Sequence, residues 1–176
     1  MKKLLLIVAF FACSFLGYSQ GNGAYGVRAG INISNLDFDP APTFDNTHRN
    51  GFAFGFFAEY DLSASFAIMP EFQYSSEGAK DMSLRVDFLQ IPIMFKYRIT
   101  DMLSAGVGPQ VGVKIHEEED GFKNFAFSGI IGLEYMITEE IFIDARYSYG
   151  LTNLLDETSG FKATNANFQF GVGYKM

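Results

Sequence analysis

Very few residues in this chain are of a type and spacing that could carry out chemistry. It has two histidines, His48 and His116, and a lipase or acyl transferase needs a histidine held between a serine and a carboxylate. Ser75, Ser76 and Ser128 fall in neighbouring stretches, yet no local motif marks any of them as a nucleophile, so both histidines read as loop residues in water. Cys13 is the only cysteine and lies among the first twenty residues. That rules out a disulfide framework, a cysteine zinc site and a thiol nucleophile. Glu117, Glu118, Glu119 and Asp120 form an acidic run, and Asp37, Asp39 and Asp45 a looser set. Neither has the alternating oxygen positions of a calcium loop, and both read as solvated loop tips. The expectation is a protein with no catalytic residue, no metal site and no cofactor.

The remaining charges behave differently. Arg28, Glu59, Glu71, Arg85, Asp87, Lys96, Lys114, Glu134, Asp144, Arg146 and Lys175 all fall on one parity of stretches that alternate with period two. Six are basic and five acidic. A near-balanced set crowded onto one face predicts ion pairs with one another, since a desolvated charge must find a partner. Their expected role is structural.

The elements that carry these charges are strands. Eight alternating segments occupy 24–34, 51–61, 66–75, 84–98, 103–116, 125–137, 141–151 and 165–176, most of them near the 9–11 residues a tilted strand needs to cross a bilayer. The composition agrees, with 18 Gly, 20 Phe and 9 Tyr but no Trp, a mixture that suits strands and tight turns. Connections at 35–50, 76–83, 117–124 and 152–164 are long and polar, whereas 62–65, 99–102 and 138–140 are short. Long loops at one end and short turns at the other is the layout of a bacterial barrel, and an even strand count puts both termini on the short-turn, periplasmic side.

The parity opposite the charges is apolar. It reads Tyr25, Val27, Ala29, Ile31 and Ile33 in the first strand, and Phe52, Phe54, Phe56, Ala58 and Tyr60 in the second. In the fourth it runs Leu84, Val86 and Phe88, then Ile91, Ile93, Phe95 and Tyr97, which implies a phase slip and a bulge near Leu89. Charged residues make up 19% of the chain, yet none falls on this face. A lysine or arginine against mid-depth lipid costs about 2–4 kcal/mol. A soluble barrel with its greasy side inward around a ligand is the competing arrangement. Two features favour lipid contact. Strand glycines gather on the charged parity, where a crowded lumen needs them. Tyr25, Tyr60, Tyr97, Tyr135 and Tyr174 all fall at one rim, where their hydroxyls would meet headgroups. Pro70, Pro92 and Pro109 lack the N–H that a closed ladder uses, and local bulges are expected there.

Residues 1–20 carry Lys2 and Lys3, an uncharged apolar run and then Gly17 and Ser19 before Gln20, the pattern of a cleaved signal peptide. Its loss would take the net charge from -7 to -9. That acidity leaves no basic stripe for phosphates and argues against a nucleic-acid partner.

The segments YGVRAGINISNL at 25–36, PEFQYSSEG at 70–78, FLQIPIMFKY at 88–97 and RYSYGLTNL at 146–154 resemble the PorT-type outer-membrane β-barrel family, over essentially the whole of 21–176. The resemblance implies an eight-stranded outer-membrane barrel, often described as porin-like. Such barrels commonly finish on an aromatic residue read by the assembly machinery, whereas this chain finishes Tyr174-Lys175-Met176. The expectation is thus an all-β protein: an eight-stranded antiparallel up-and-down transmembrane barrel at 21–176 behind a signal peptide at 1–20. It would sit in the cell outer membrane among lipid and lipopolysaccharide, inserted by the barrel-assembly machinery, with outer loops free to meet protein partners. Its lumen would be mostly filled and its role structural or interactive. A narrow channel for ions or small solutes, and a soluble periplasmic binding protein, are the alternatives.

Overall fold

The structure, a computed structural model, describes residues 23–39, 47–117, 123–154 and 162–176; the leader lies outside the described residues, as do Asp45 and most of the acidic run. Eight strands are present: β1 (Gly23–Asp39), β2 (Arg49–Asp61), β3 (Phe66–Gly78), β4 (Arg85–Arg98), β5 (Leu103–Glu117), β6 (Phe125–Met136), β7 (Ile141–Gly150) and β8 (Lys162–Lys175). Each pairs antiparallel with the next, and β8 returns to β1 to close the barrel. Closure leaves no strand edge unpaired, which is the condition for spanning hydrocarbon with strands.

The three short connections share one construction. Ser63 Oγ accepts from the N–H groups of Ser65 and Phe66 at 3.3 and 3.1 Å. Thr100 Oγ1 does the same for Met102 and Leu103, and Thr138 Oγ1 for Glu140 and Ile141. A hydroxyl two or three residues ahead of the returning strand satisfies donors that the ladder has released. The recurring pattern is an apolar residue, Ser or Thr, two residues, then an apolar strand start.

The greasy parity faces outward, as the alternation and the tyrosine rim required. Ile31, Phe56, Val107, Ile131 and Phe168 are all more than half exposed, while Arg28, Glu71, Lys96 and Arg146 are buried. A soluble barrel with an apolar lumen is excluded. Glycines on the inner wall make room for rings. Gly26 pairs directly with Phe57, and Gly173 with Phe142. A Cβ on either glycine would run into the facing ring. The two phenylalanines meet edge to face inside the lumen, with centroids 5.6 Å apart.

Three expectations are corrected. First, β4 alternates without a phase slip: Val86 and Phe88 are inside with Gln90, Met94 and Lys96. The register does shift nearby, between Asp87 and Phe88, where Ile115 of β5 is passed over. Val86 and Phe88 turn inward because the loop end of the barrel has left hydrocarbon. There β1 carries Asn35, Asp37 and Asp39 on its outer face and fully buried Leu36 on its inner face, and β8 carries Lys162 outside and buried Ala163 inside. With water outside, the usual polarity of a soluble protein returns.

Second, Arg85 and Asp87 therefore lie on the outer face at the loop end and not in the lumen. Asp87 accepts from the Tyr74 hydroxyl at 2.7 Å and from Arg49 at 3.4 Å. Third, the prolines cause no bulge. Ladder partners are missing for two residues at Ala58–Glu59 against Met69–Pro70, at Glu71–Phe72 against Ile91–Pro92, and at Ile93–Met94 against Gly108–Pro109, with the register unchanged across each gap. The three gaps adjoin in a line across β2 to β5.

Candidate functional site

The lumen is stratified. Nearest the short turns, the ammonium of Lys96 lies 2.7 Å from Glu59 Oε2 and 2.6 Å from Glu134 Oε1, and that of Lys175 lies 3.0 Å from each. Two lysines and two glutamates close a ring, with Arg98 bridging Glu59 at 3.2 Å and pairing with Asp61. Packed among the lumen charges are Phe57, Met69, Met94, Ile130 and Phe142, a buried apolar cluster.

Next is a second ionic layer. The Arg28 guanidinium holds Asp144 with two bonds of 2.6 and 2.5 Å and donates to Gln169 Oε1 at 2.8 Å. Arg146 donates to Glu71 at 2.7 Å and stands 3.6 Å from Asp144. The planar guanidinium fork suits this two-point grip on a carboxylate. Further up is a polar layer around Glu77, packed against a second buried apolar cluster that includes Leu36, Val86, Phe88 and Leu154. The void among Met69, Met94, Lys96, Gly132 and Arg146 measures about 10 Å³, at the lower limit for one water. This lumen is filled.

The structure thus gathers Arg28, Glu59, Glu71, Lys96, Glu134, Asp144, Arg146 and Lys175 into two rings. Arg85 and Asp87 are displaced outward, and Lys114 stands half-buried at the loop end of β5, outside both rings. Glu77 was missed by sequence reasoning because 76–83 reads as a polar loop. β3 in fact continues to Gly78, and the inward series Glu71, Gln73, Ser75 simply extends to Glu77. His48 forms a bridge with Ala79, and His116 is exposed opposite Asp87. Ser75 is engaged elsewhere, donating to Glu77 at 2.5 Å. Among the described residues no three His, Cys, Asp or Glu side chains form a metal cluster.

A closed eight-stranded barrel with a lipid-facing apolar wall, an ionic lumen and short turns at one end is an integral outer-membrane barrel. The chain belongs to the outer membrane protein beta-barrel domain family, whose model matches residues 4–175. It is a protein of the cell outer membrane. No curated protein matches it. Among solved structures it is similar to the attachment invasion locus protein Ail of Yersinia pestis in complex with the heparin analogue sucrose octasulfate, at TM-score 0.54 and 18% identity over 88% of this chain and 99% of that one. It is similar to Neisserial surface protein A, at TM-score 0.57 and 14% identity over 86% and 97%. It is also similar to a de novo designed transmembrane β-barrel, at TM-score 0.51 and 13% identity over 89% and 98%. At these identities the likeness is one of fold.

Proposed function

We propose that this protein is a sealed anchor, a barrel whose work is done by its loop end, through contact with molecules outside the cell. The observation that carries this reading is a lumen filled by two ionic rings and two buried apolar clusters. A hydrated ion following the axis would have to shed water at Phe57, Met94 and Phe142 and again at Leu36 and Phe88. Single-channel recording in planar bilayers tests it: the expected result is no steady current, and reproducible unitary steps would establish a narrow channel instead.

The loop end offers one recognisable chemistry. Thr47, His48, Arg49, Asn50, Lys80 and Arg85 line a cleft of about 500 Å³, basic in a chain of net charge -7. The Yersinia neighbour holds a sulfated sugar. The cleft here suits an anionic glycan, or the phosphates of lipopolysaccharide beside which the protein sits, through charge-assisted bonds. Residues 1–20 serve as its export signal and the assembly machinery inserts the chain. The resemblance of 25–36, 70–78, 88–97 and 146–154 to PorT-type barrels supports membership of that branch of the family, and a fold alone assigns no further activity. An essential His48 or His116 in an assayable turnover would argue for catalysis instead.

A further inference from the structure

Both ionic rings of the lumen balance: Lys96 and Lys175 face Glu59 and Glu134, and Arg28 and Arg146 face Glu71 and Asp144. Glu77 has no such counterpart. It is 1% exposed, and among the described residues every side chain bonded to its carboxylate is neutral. Ser75 donates at 2.5 Å, Gln90 at 2.9 Å, Asn165 at 2.5 Å and Asn167 at 3.1 Å. Arg49, near by, spends one nitrogen on the main-chain oxygen of Glu77 and another on Asp87. The stretches 40–46, 118–122 and 155–161 contain no Lys, Arg or His, so the loops bring no cation to it either.

A second observation points the same way. The side-chain oxygens of Asn32, Gln73, Asn165 and Asn167 are buried and accept no hydrogen bond. In each case the amide nitrogen is engaged: Asn165 and Asn167 donate to Glu77, Gln73 to Gln90, and Asn32 to Ser75. Each spare oxygen is therefore one amide group away from a bond of this network. Flipping Asn165 or Asn167 does not help, because it would set an oxygen against the carboxylate. The layer holds a surplus of acceptors around a lone anion.

We propose that Glu77, with the amide oxygens of Asn32, Gln73, Asn165 and Asn167, holds one dehydrated alkali cation. Hard cations take carboxylate and amide oxygens of this kind. A monovalent ion neutralises a single carboxylate, whereas calcium would leave a buried positive charge. Glu77 is sealed from solvent, only 1% exposed, so the ion is taken up as the barrel closes and exchanges slowly. The inference rests on the sealed-lumen reading. Conductance tests that reading, and ion retention tests this site.

The test refolds the full chain in micelles at matched ionic strength in sodium, potassium or choline chloride. Flow dialysis with labelled sodium, or with a labelled potassium analogue, should find one ion retained per barrel, and none for Glu77→Gln. The temperature at which the fast-migrating folded band is lost should be higher in an alkali chloride than in choline. Glu77→Gln should abolish that difference and outlast the parent in choline, where the uncompensated charge is gone. If that variant fails to fold, Asn167→Ala should shift the stabilising salt midpoint upward about tenfold. Equal stability in all three salts with no retained ion would show a carboxyl neutralised by a proton or hydrated by water, and so would an unmoved midpoint in Asn167→Ala. Either result overturns the proposal.

Discussion

Replacing Arg28 with methionine asks whether the lumen is dry. Arg28 is 2% exposed and gives three short bonds, two to Asp144 and one to Gln169. Without it, Asp144 keeps only Arg146 at 3.6 Å, and the layer is left with one excess negative charge. Removing one partner of a buried ion pair costs about 3–5 kcal/mol, so Arg28→Met should lower the unfolding free energy by that amount. Adding Asp144→Leu restores neutrality, because Arg146 and Glu71 still balance. Replacing a whole buried pair with apolar groups is often close to neutral, so the double variant should return to within about 1–2 kcal/mol of the parent. The chain has no tryptophan, so urea titration in lipid vesicles is best followed by far-UV circular dichroism and by the fraction of fast-migrating folded band. A cost below about 1 kcal/mol for Arg28→Met would mean that water reaches Asp144. The sealed-lumen argument would then fail with it. A double variant as damaged as the single one would show that packing and the Gln169 bond matter, and charge does not.

Two further substitutions probe the wall. Ile131→Lys on the lipid face, at a side chain 55% exposed, should cost about 2–4 kcal/mol by the same titration, whereas Ile115→Lys at the loop-end rim should cost about 0–1 kcal/mol; equal costs would misplace the hydrocarbon. Gly173→Ala drives a Cβ into the Phe142 ring, and overpacking of this kind should cost about 1–3 kcal/mol, relieved when Phe142→Leu is added.

The eight strands, their order and the face that meets lipid were legible because hydrocarbon enforces one rule along every strand. The same rule misled where hydrocarbon ends. Val86 and Phe88 are apolar and were read as lipid-facing, yet they lie above the membrane, where an apolar side chain belongs inside. Nothing in the local pattern of β4 marks that boundary. Asn35, Asp37 and Asp39 on the outer face of β1 do mark it, three polar residues in register after five apolar ones. Glu77 was hidden for a related reason. SSEGAKDMS has the composition of a turn, and only the continued pairing of Glu77 with Val86 and Gly78 with Arg85 shows that the strand persists. The prolines were legible as defects but not in their form. A missing N–H removes a ladder bond without adding a residue, and a bulge requires an added residue.

The polarity inversion also bears on what the loop end is for. Inside lipid, the wall is held from without by hydrocarbon and from within by the ion rings. Above lipid, β1, β4, β6 and β8 carry their own small core of Leu36, Val86, Phe88, Ala126 and Ala163, joined by Leu154 from the connection after β7. Leu154 is held by two main-chain bonds, its oxygen accepting from the Lys123 N–H and its own N–H donating to the Ala163 oxygen. A barrel that served only to span the membrane would gain nothing from strands carried on to Asp39 and Lys162. Extending them, and filling the extension with apolar side chains, builds a rigid collar on which the basic cleft is mounted. Stiffening a binding surface in advance lowers the ordering cost of contact, so the collar supports the reading in which recognition, and not transport, is the barrel's work.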